Sequence, residues 1–184
     1  MTHPQYALDA DVLASFQRAR QDEALAAAGR LPVVITDTVW DELVLGPILK
    51  MPVGISTREE AHRRAQAEAM EEVLRSIAGG RTEILAGSPE ATNLARLQRA
   101  GSVGQGEDSV IALAVSRPDV VPVMIDRAGL ARAIEEVPGR VLSLHGFLRT
   151  IERDAGFPRG VSDAVSAYLQ KAKSFVPPLW WQTR

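Results

Sequence analysis

Short apolar runs alternate with longer stretches of helical period along almost the whole chain. That alternation restricts the fold more than any other property of the sequence. Tyr6–Leu8, Pro32–Ile35, Val120–Ile125 and Arg140–Leu144 read as strands, with Glu83–Leu85 as a further short one. Val12, Leu13, Phe16, Ala19 and Leu25 mark a helix from Val12 to Ala28, stopped by Gly29. Thr36, Asp37 and Thr38 are candidate N-caps for a helix carrying Val39, Trp40, Glu42, Leu43 and Val44. Gly46, Pro47, Pro52 and Gly54 then predict a loop. Ser56–Ala78 is the clearest helix, opened by a capping box (Ser56 with Glu59, or Thr57 with Glu60) and closed by Gly79-Gly80. Ser88-Pro89-Glu90 opens a helix to Arg99. The glycine-rich turn Gly101–Gly106 leads into a buried helix through Val110–Val115. Ala128–Val137, His145–Ala155 and Val161–Lys173 are the remaining helices. Such alternation implies an α/β/α sandwich: a central, mainly parallel sheet, right-handed crossovers and helices on both faces. Pro122 predicts an edge position or an irregular start for its strand, because it has no N–H for the ladder.

Five acids sit at the joints of this pattern. Asp9 and Asp126 each end an apolar strand-like run, while Asp11, Glu42 and Glu107 lie at or near helix starts. In a parallel sheet these positions share one edge, where ligands of open α/β sheets bind. Singly, each acid has an ordinary explanation: Asp9 as a turn residue, Glu42 on a solvated face, Glu107 as an acid suited to a helix N-terminus. Jointly they form a carboxylate cluster, which repels itself at separations of about 4–6 Å unless a cation joins it. Mg²⁺ or Mn²⁺, which prefer hard oxygen ligands, are the expected occupants, and a metal-dependent hydrolase is the expected activity.

Composition narrows the alternatives. The 184 residues suffice for one sizeable core and are short for two. The expectation is a single domain over 1–174 and a C-terminal tail over 175–184, with no internal repeat. A hydrophobic content of 46% and a mean hydropathy of −0.04 describe an ordinary soluble globular chain. The net charge of −2 does not announce a nucleic-acid binder, although local patches matter more than the sum. Eighteen of the 21 basic residues are Arg; coding bias explains this as readily as a need for bidentate phosphate contacts. The absence of Cys removes disulfides, thiolate metal sites and cysteine nucleophiles. No apolar run approaches the ~18 residues that span a bilayer, and MTHPQYALDADVL lacks the layout of a secretory signal, so a cytoplasmic protein is expected.

Four stretches together resemble the PIN-domain nucleases, and within them the VapC-like proteins of prokaryotes. Ala7-Leu8-Asp9-Ala10-Asp11-Val12-Leu13 resembles the family's apolar-Asp-Thr-Asn-Val-Leu start, with Asp9 in its metal-ligand position. Val39-Trp40-Asp41-Glu42-Leu43 is similar to its Val-x-x-Glu-Leu helix, which makes Glu42 the second acid. The segment Gly104–Ala114 resembles the Gly-Glu-x-(acid)-Ala-Ile-x-Leu-Ala signature of one branch, and Val123–Arg127 the strand bearing the fourth acid. The similarity extends through Val141–Leu148 and the final helix, so it covers roughly the whole chain. The departures are equally specific. Ala10 and Asp11 stand for the usual Thr and Asn. Glu107 and Asp108 are adjacent where the branch has acids at alternate positions, Ser109 following. Asp126-Arg127 replaces a pair of aspartates. Glu107 or Asp108 is then the third ligand, with alignment on Ala114 favouring Glu107.

What the resemblance implies is hydrolysis of RNA phosphodiesters by Mg²⁺ or Mn²⁺ held on Asp9, Glu42, Glu107 (or Asp108) and Asp126. Asp11 or Asp108 would orient them. It further implies a VapC-like toxin, a small cognate antitoxin that masks the acids, and a homodimer; the alternative is a PIN-like RNA- or protein-binding module with impaired catalysis. Arg18, Arg20, Arg127 and Arg132 are candidate substrate contacts, although ordinary surface charge explains each as well. Trp180 and Trp181 suit base stacking, or more simply an anchor of the C-terminus. His3, His62 and His145 lack any partner at ligand spacing and read as structural or solvated. A haloacid-dehalogenase-type phosphotransferase also begins Asp-x-Asp after a strand. Here Val12-Leu13 follow directly, the later paired-acid motif of that type is not found, and the lysines are only Lys50, Lys171 and Lys173.

Overall fold

The computed structural model describes residues 4–18 and 22–156. The expected helix Val161–Lys173, the tail 175–184 with its two tryptophans, His3 and Arg20 lie outside the described residues. Four strands, β1 (Gln5–Leu8), β2 (Val33–Val34), β3 (Val120–Met124) and β4 (Leu142–Ser143), form one sheet in the order β2-β1-β3-β4, all parallel. Helices α1 (Ala10–Arg18) and α2 (Asp22–Ala28) connect β1 to β2. Helices α3 (Asp37–Val44), α4 (Gly46–Leu49), α5 (Thr57–Ala78), α6 (Pro89–Arg99) and α7 (Gln105–Ser116) connect β2 to β3. Then α8 (Arg127–Glu136) leads to β4, and α9 (Leu144–Asp154) follows it. The chain steps one way across the sheet from β1 to β2 and the other way afterwards. Right-handed crossovers therefore assign α1–α2 and α3–α7 to opposite faces.

The apolar period of the sequence is the buried surface. Val12, Leu13, Phe16, Leu25 and Ala28, within the stretch read as helical, are buried on the described helices α1 and α2. Helix α7 is enclosed on all sides, with Val110–Ala114 fully inaccessible, which is why its sequence is apolar without period. In contrast, α5 keeps a solvated face laced by Arg63–Glu59, Arg64–Glu60 and Arg75–Glu71 pairs. Ser56 caps its start by accepting from Glu59 N–H, and Gly79 ends it at φ 71°, a left-handed conformation suited to glycine. No helix among the described residues is long and apolar enough to cross a membrane.

Three expectations are corrected. The loop expected from Gly46 contains the short helix α4, because a proline in the first helical turn needs no N–H partner. Glu83–Leu85 is not a strand: only Thr82 pairs, in one parallel bridge to Thr36. Pro122 sits in β3, an interior strand, and pairs with Ala7. The reason is directional. Gln5 N–H donates to Asp119 O and Asp9 N–H to Val123 O, so the odd-numbered residues of β3 turn their backbone groups toward β1. The missing N–H of Pro122 therefore faces β4, whose pairing begins only at Val123↔Leu142.

Arg140 completes that shortened edge. Its guanidinium donates to Arg117 O, Pro118 O and Val120 O through Nη1 and to Ala114 O through Nη2. One side chain thus serves the last carbonyls of α7 and the unpaired start of β3. Arg140→Ala is expected to lower the unfolding free energy by about 2 kcal/mol. Arg140→Lys should recover only part of that loss, since an ammonium does not reproduce the planar fork. Urea unfolding midpoints at constant slope measure both.

Candidate active site

The order β2-β1-β3-β4 reverses direction between β1 and β3, and the carboxyl ends of these two central strands flank the crevice where such sheets bind ligands. Asp9 is the first residue beyond β1 and Asp126 lies two beyond β3. Asp9 is 2% exposed. Its N–H donates to Val123 O, its carbonyl accepts from Leu13 N–H in α1, and its Oδ2 accepts from Asp11 N–H at 3.3 Å. It is Asp11's backbone, rather than its exposed carboxylate, that orients Asp9. Asp126 is the N-cap of α8: Oδ2 accepts from Ala128 N–H at 2.6 Å and Gly129 N–H at 3.1 Å. Both bonds use one oxygen, which leaves Oδ1 for the crevice.

The other two acids come from α3 and α7, and glycines let them approach. A side-chain carbon at Gly106 would stand 3.0 Å from Glu42 Oε2 and 3.2 Å from Asp9 Oδ1, so the two carboxylates meet over this glycine. A carbon at Gly129 would stand 3.1 Å from Glu107 Cγ, and one at Gly104 would overlap the Glu107 carboxylate. The Glu107 stem therefore lies on the first turn of α8, beside the Asp126 cap, with its carboxylate against Gly104.

Burial first, then the Glu107 carboxylate, pushes the Asp9 carboxyl up to about 8; Asp11 adds to this, while the Ala10 and Asp11 amides oppose it. The Glu107 carboxyl is also raised, by burial first, against its own amide, and then by Glu42, Asp11 and Asp126. Glu107 is the hub of the cluster: it raises Asp9 and is itself raised by Glu42, Asp11 and Asp126.

Asp108 goes elsewhere. It is 1% exposed and accepts from Ser102 Oγ at 2.5 Å and Val103 N–H at 3.5 Å, tying down the loop ahead of α7. Of the two adjacent acids, Glu107 is the one beside Asp9 and Glu42, while Asp108 is bonded to the loop. Arg132 also points away from the acids. It meets Glu136 at 3.3 Å as an ion pair without hydrogen-bond geometry, and Glu136 pairs with Arg96 as well. Arg127 is exposed next to Asp126; the side chain of Arg18 lies outside the described residues. His62 meets Gln66 on a solvated helix, and His145 is buried in α9.

A buried hydroxyl pair fixes α3 against α7. Val39 N–H donates to Thr36 Oγ1, the N-cap of α3; Thr36 Oγ1 lies 2.7 Å from Ser109 Oγ, which donates to Gly106 O. With Ser109 committed to Gly106, the proton between the two hydroxyls comes from Thr36. The sequence shows Thr36 as a candidate cap; nothing in it signals that Ser109 is the partner. Gly106 and Gly129 are equally silent, because a close approach leaves no local pattern.

The donor set is all carboxylate oxygen, the ligand type that a hard divalent cation prefers; one member, Asp9, is buried, its carboxyl raised first by that burial and then by Glu107, and Gly106 leaves room for the Asp9 and Glu42 carboxylates to approach. Asp9, Glu42, Glu107 and Asp126 are the groups able to supply oxygens. Among the described residues, no three His, Asp or Glu side chains stand at the spacing that encloses one ion; the turn of Glu107 toward Gly104 accounts for part of that spread. Comparison of the chain with protein-family models, curated proteins and solved structures gives no match.

The raised acids set a sign for stability. Unfolded Asp9 ionises near 3.8 and folded Asp9 near 8, so the folded state binds more protons between those values. Metal-free protein should lose stability as pH rises across that window, with a limiting slope of about 1.4 kcal/mol per unit. Asp9→Asn should flatten the dependence, measured as urea midpoints at pH 5 and pH 8 in chelator. Thr36→Val, which leaves the Val39 N–H without its cap, and Ser109→Ala, which leaves the Thr36 hydroxyl proton without an acceptor, should each cost about 1–2 kcal/mol, and the double variant should cost less than their sum.

Proposed function

We propose that this chain is a PIN-like, divalent-metal-dependent nuclease that hydrolyses RNA phosphodiester bonds, and that it acts as a VapC-like toxin with a cognate antitoxin. The observation that carries the nuclease reading is the meeting of Asp9, Glu42, Glu107 and Asp126, from four separate elements, at the β1/β3 switch point. The choice of RNA, the toxin role, the antitoxin and a homodimer rest on the sequence resemblance.

Asp9, Glu42, Glu107 and Asp126 would hold Mg²⁺ or Mn²⁺. Bound there, the ion would lower the pKa of a water and offset charge building on the phosphate. The residues divide the remaining work. Asp9, enclosed and fixed by the Asp11 N–H, would bind a cation as the carboxylate, so binding would be coupled to proton release. Asp126 keeps one oxygen on the α8 amides and offers the other. Thr36 and Ser109 hold α3, which carries Glu42, against α7, which carries Glu107. No side-chain nucleophile is required; the attacking group is water.

A second reading, a binding module with impaired catalysis, draws on the absence of three acids at ion-enclosing spacing among the described residues. One experiment separates the two. With Mn²⁺ and total RNA or tRNA, the parent should cleave and Asp9→Asn should fall by more than about a hundredfold, since groups that merely support a ligand already contribute about 10–100-fold. Equal cleavage by the two proteins would sink the nuclease. Failure of a folded parent to bind Mn²⁺ in a calorimetric titration would favour the module.

A further inference from the structure

Next to the acids runs a trough of about 730 Å³ between α3–α4 and the start of α7, large enough for a drug-sized ligand. Glu42 and Glu107 line it, so it is continuous with the candidate site. Two further acids in its wall are already spoken for. Asp37 accepts from Thr38 N–H and Ile84 N–H, and Asp41 lies 3.5 Å from Arg81. One cation faces this space: Lys50, the C-cap of α4. The Lys50 backbone N–H is bonded to Gly46 O and Ile48 O, so the main chain is fixed while the side chain is exposed. Among the described residues its ammonium makes no ion pair. Leu49, beside it, is 78% exposed and offers apolar surface at the same rim.

A polyanionic strand laid along this trough meets four acids, neutral side chains and backbone, and, among the described residues that line it, a single basic group, Lys50. We infer that Lys50 is a positioning residue: it holds a backbone phosphate of the RNA flanking the scissile bond and sets the strand's path across Glu42 and Glu107. The inference rests on the nuclease reading for its substrate and on the trough for its location.

The test compares the parent, Lys50→Gln and Lys50→Arg in two assays. In Mn²⁺-supported cleavage, Lys50→Gln should raise KM about tenfold with kcat unchanged, and Lys50→Arg should restore KM. In Ca²⁺-supported binding of a fluorescent decaribonucleotide, Lys50→Gln should weaken affinity equally. It should also reduce the slope of log affinity against log salt by about 0.7, the release of counterion from one single-strand phosphate. Parental KM, affinity and salt slope in Lys50→Gln overturn the inference while leaving the nuclease standing. A parent that cleaves no better than Asp9→Asn removes the nuclease, and the binding assay then decides Lys50 alone. A parent that binds no oligonucleotide overturns Lys50 as well.

Discussion

Asp9 is an ionisable group enclosed almost completely and surrounded by other acids, and the arrangement of the crevice follows from how that is tolerated. Its position is not adjustable. The β1–β3 register fixes its backbone through Val123 O, and α1 begins from its carbonyl. The molecule can therefore respond only through proton uptake or a cation, and the upward shift of Asp9 and Glu107 is the first of these responses. On the proposed reading a proton and a divalent ion would compete for the same place. A fold selected for stability alone gains nothing by retaining a buried acid whose ionisation opposes folding, which favours that reading.

The rest of the architecture compensates for a small sheet. Two of the four strands are only two residues long, so the ladder cannot by itself hold the crevice walls at a fixed separation. Side chains take over that role at both ends. At the carboxyl edge, Thr36 and Ser109 bridge α3 to α7 directly behind Glu42 and Glu107. At the opposite edge, Arg140 gathers the end of α7 and the start of β3. Both contacts end on α7, the enclosed helix, which transmits the position of the sheet to Glu107.

The alternation of elements and the acids at strand ends were legible because both are local: a run of β-branched residues, a cap, an acid at a terminus. The same locality explains the errors. Pro122 reads as an edge residue because the sequence carries the missing donor but not the direction it faces; here β4 is too short to need it. Glu107 and Asp108 could not be separated by spacing alone, and only the loop Ser102–Val103 decides that Asp108 turns inward and Glu107 does not. Long-range pairs such as Thr36–Ser109, and the glycines over which the carboxylates meet, have no signature within any window of the chain. The trough bearing Lys50 is of the same kind, since α4 lies where glycine and proline predict a loop.

Ser109 gives the departure from the PIN-like motif a physical meaning. The motif places an acid two positions after the glutamate; in this chain that position is fully buried and bonded to Thr36 and to Gly106 O. A carboxylate there would lie near the crevice, where Asp9 and Glu107 are already shifted by like charge, and would push both further up. It would also lack a proton to donate to Gly106 O. A neutral hydroxyl satisfies the same neighbours without adding charge, and it ties α3 to α7. On the proposed reading the ligand set would then be four carboxylates, Asp9, Glu42, Glu107 and Asp126, with Ser109 helping to hold two of them in place.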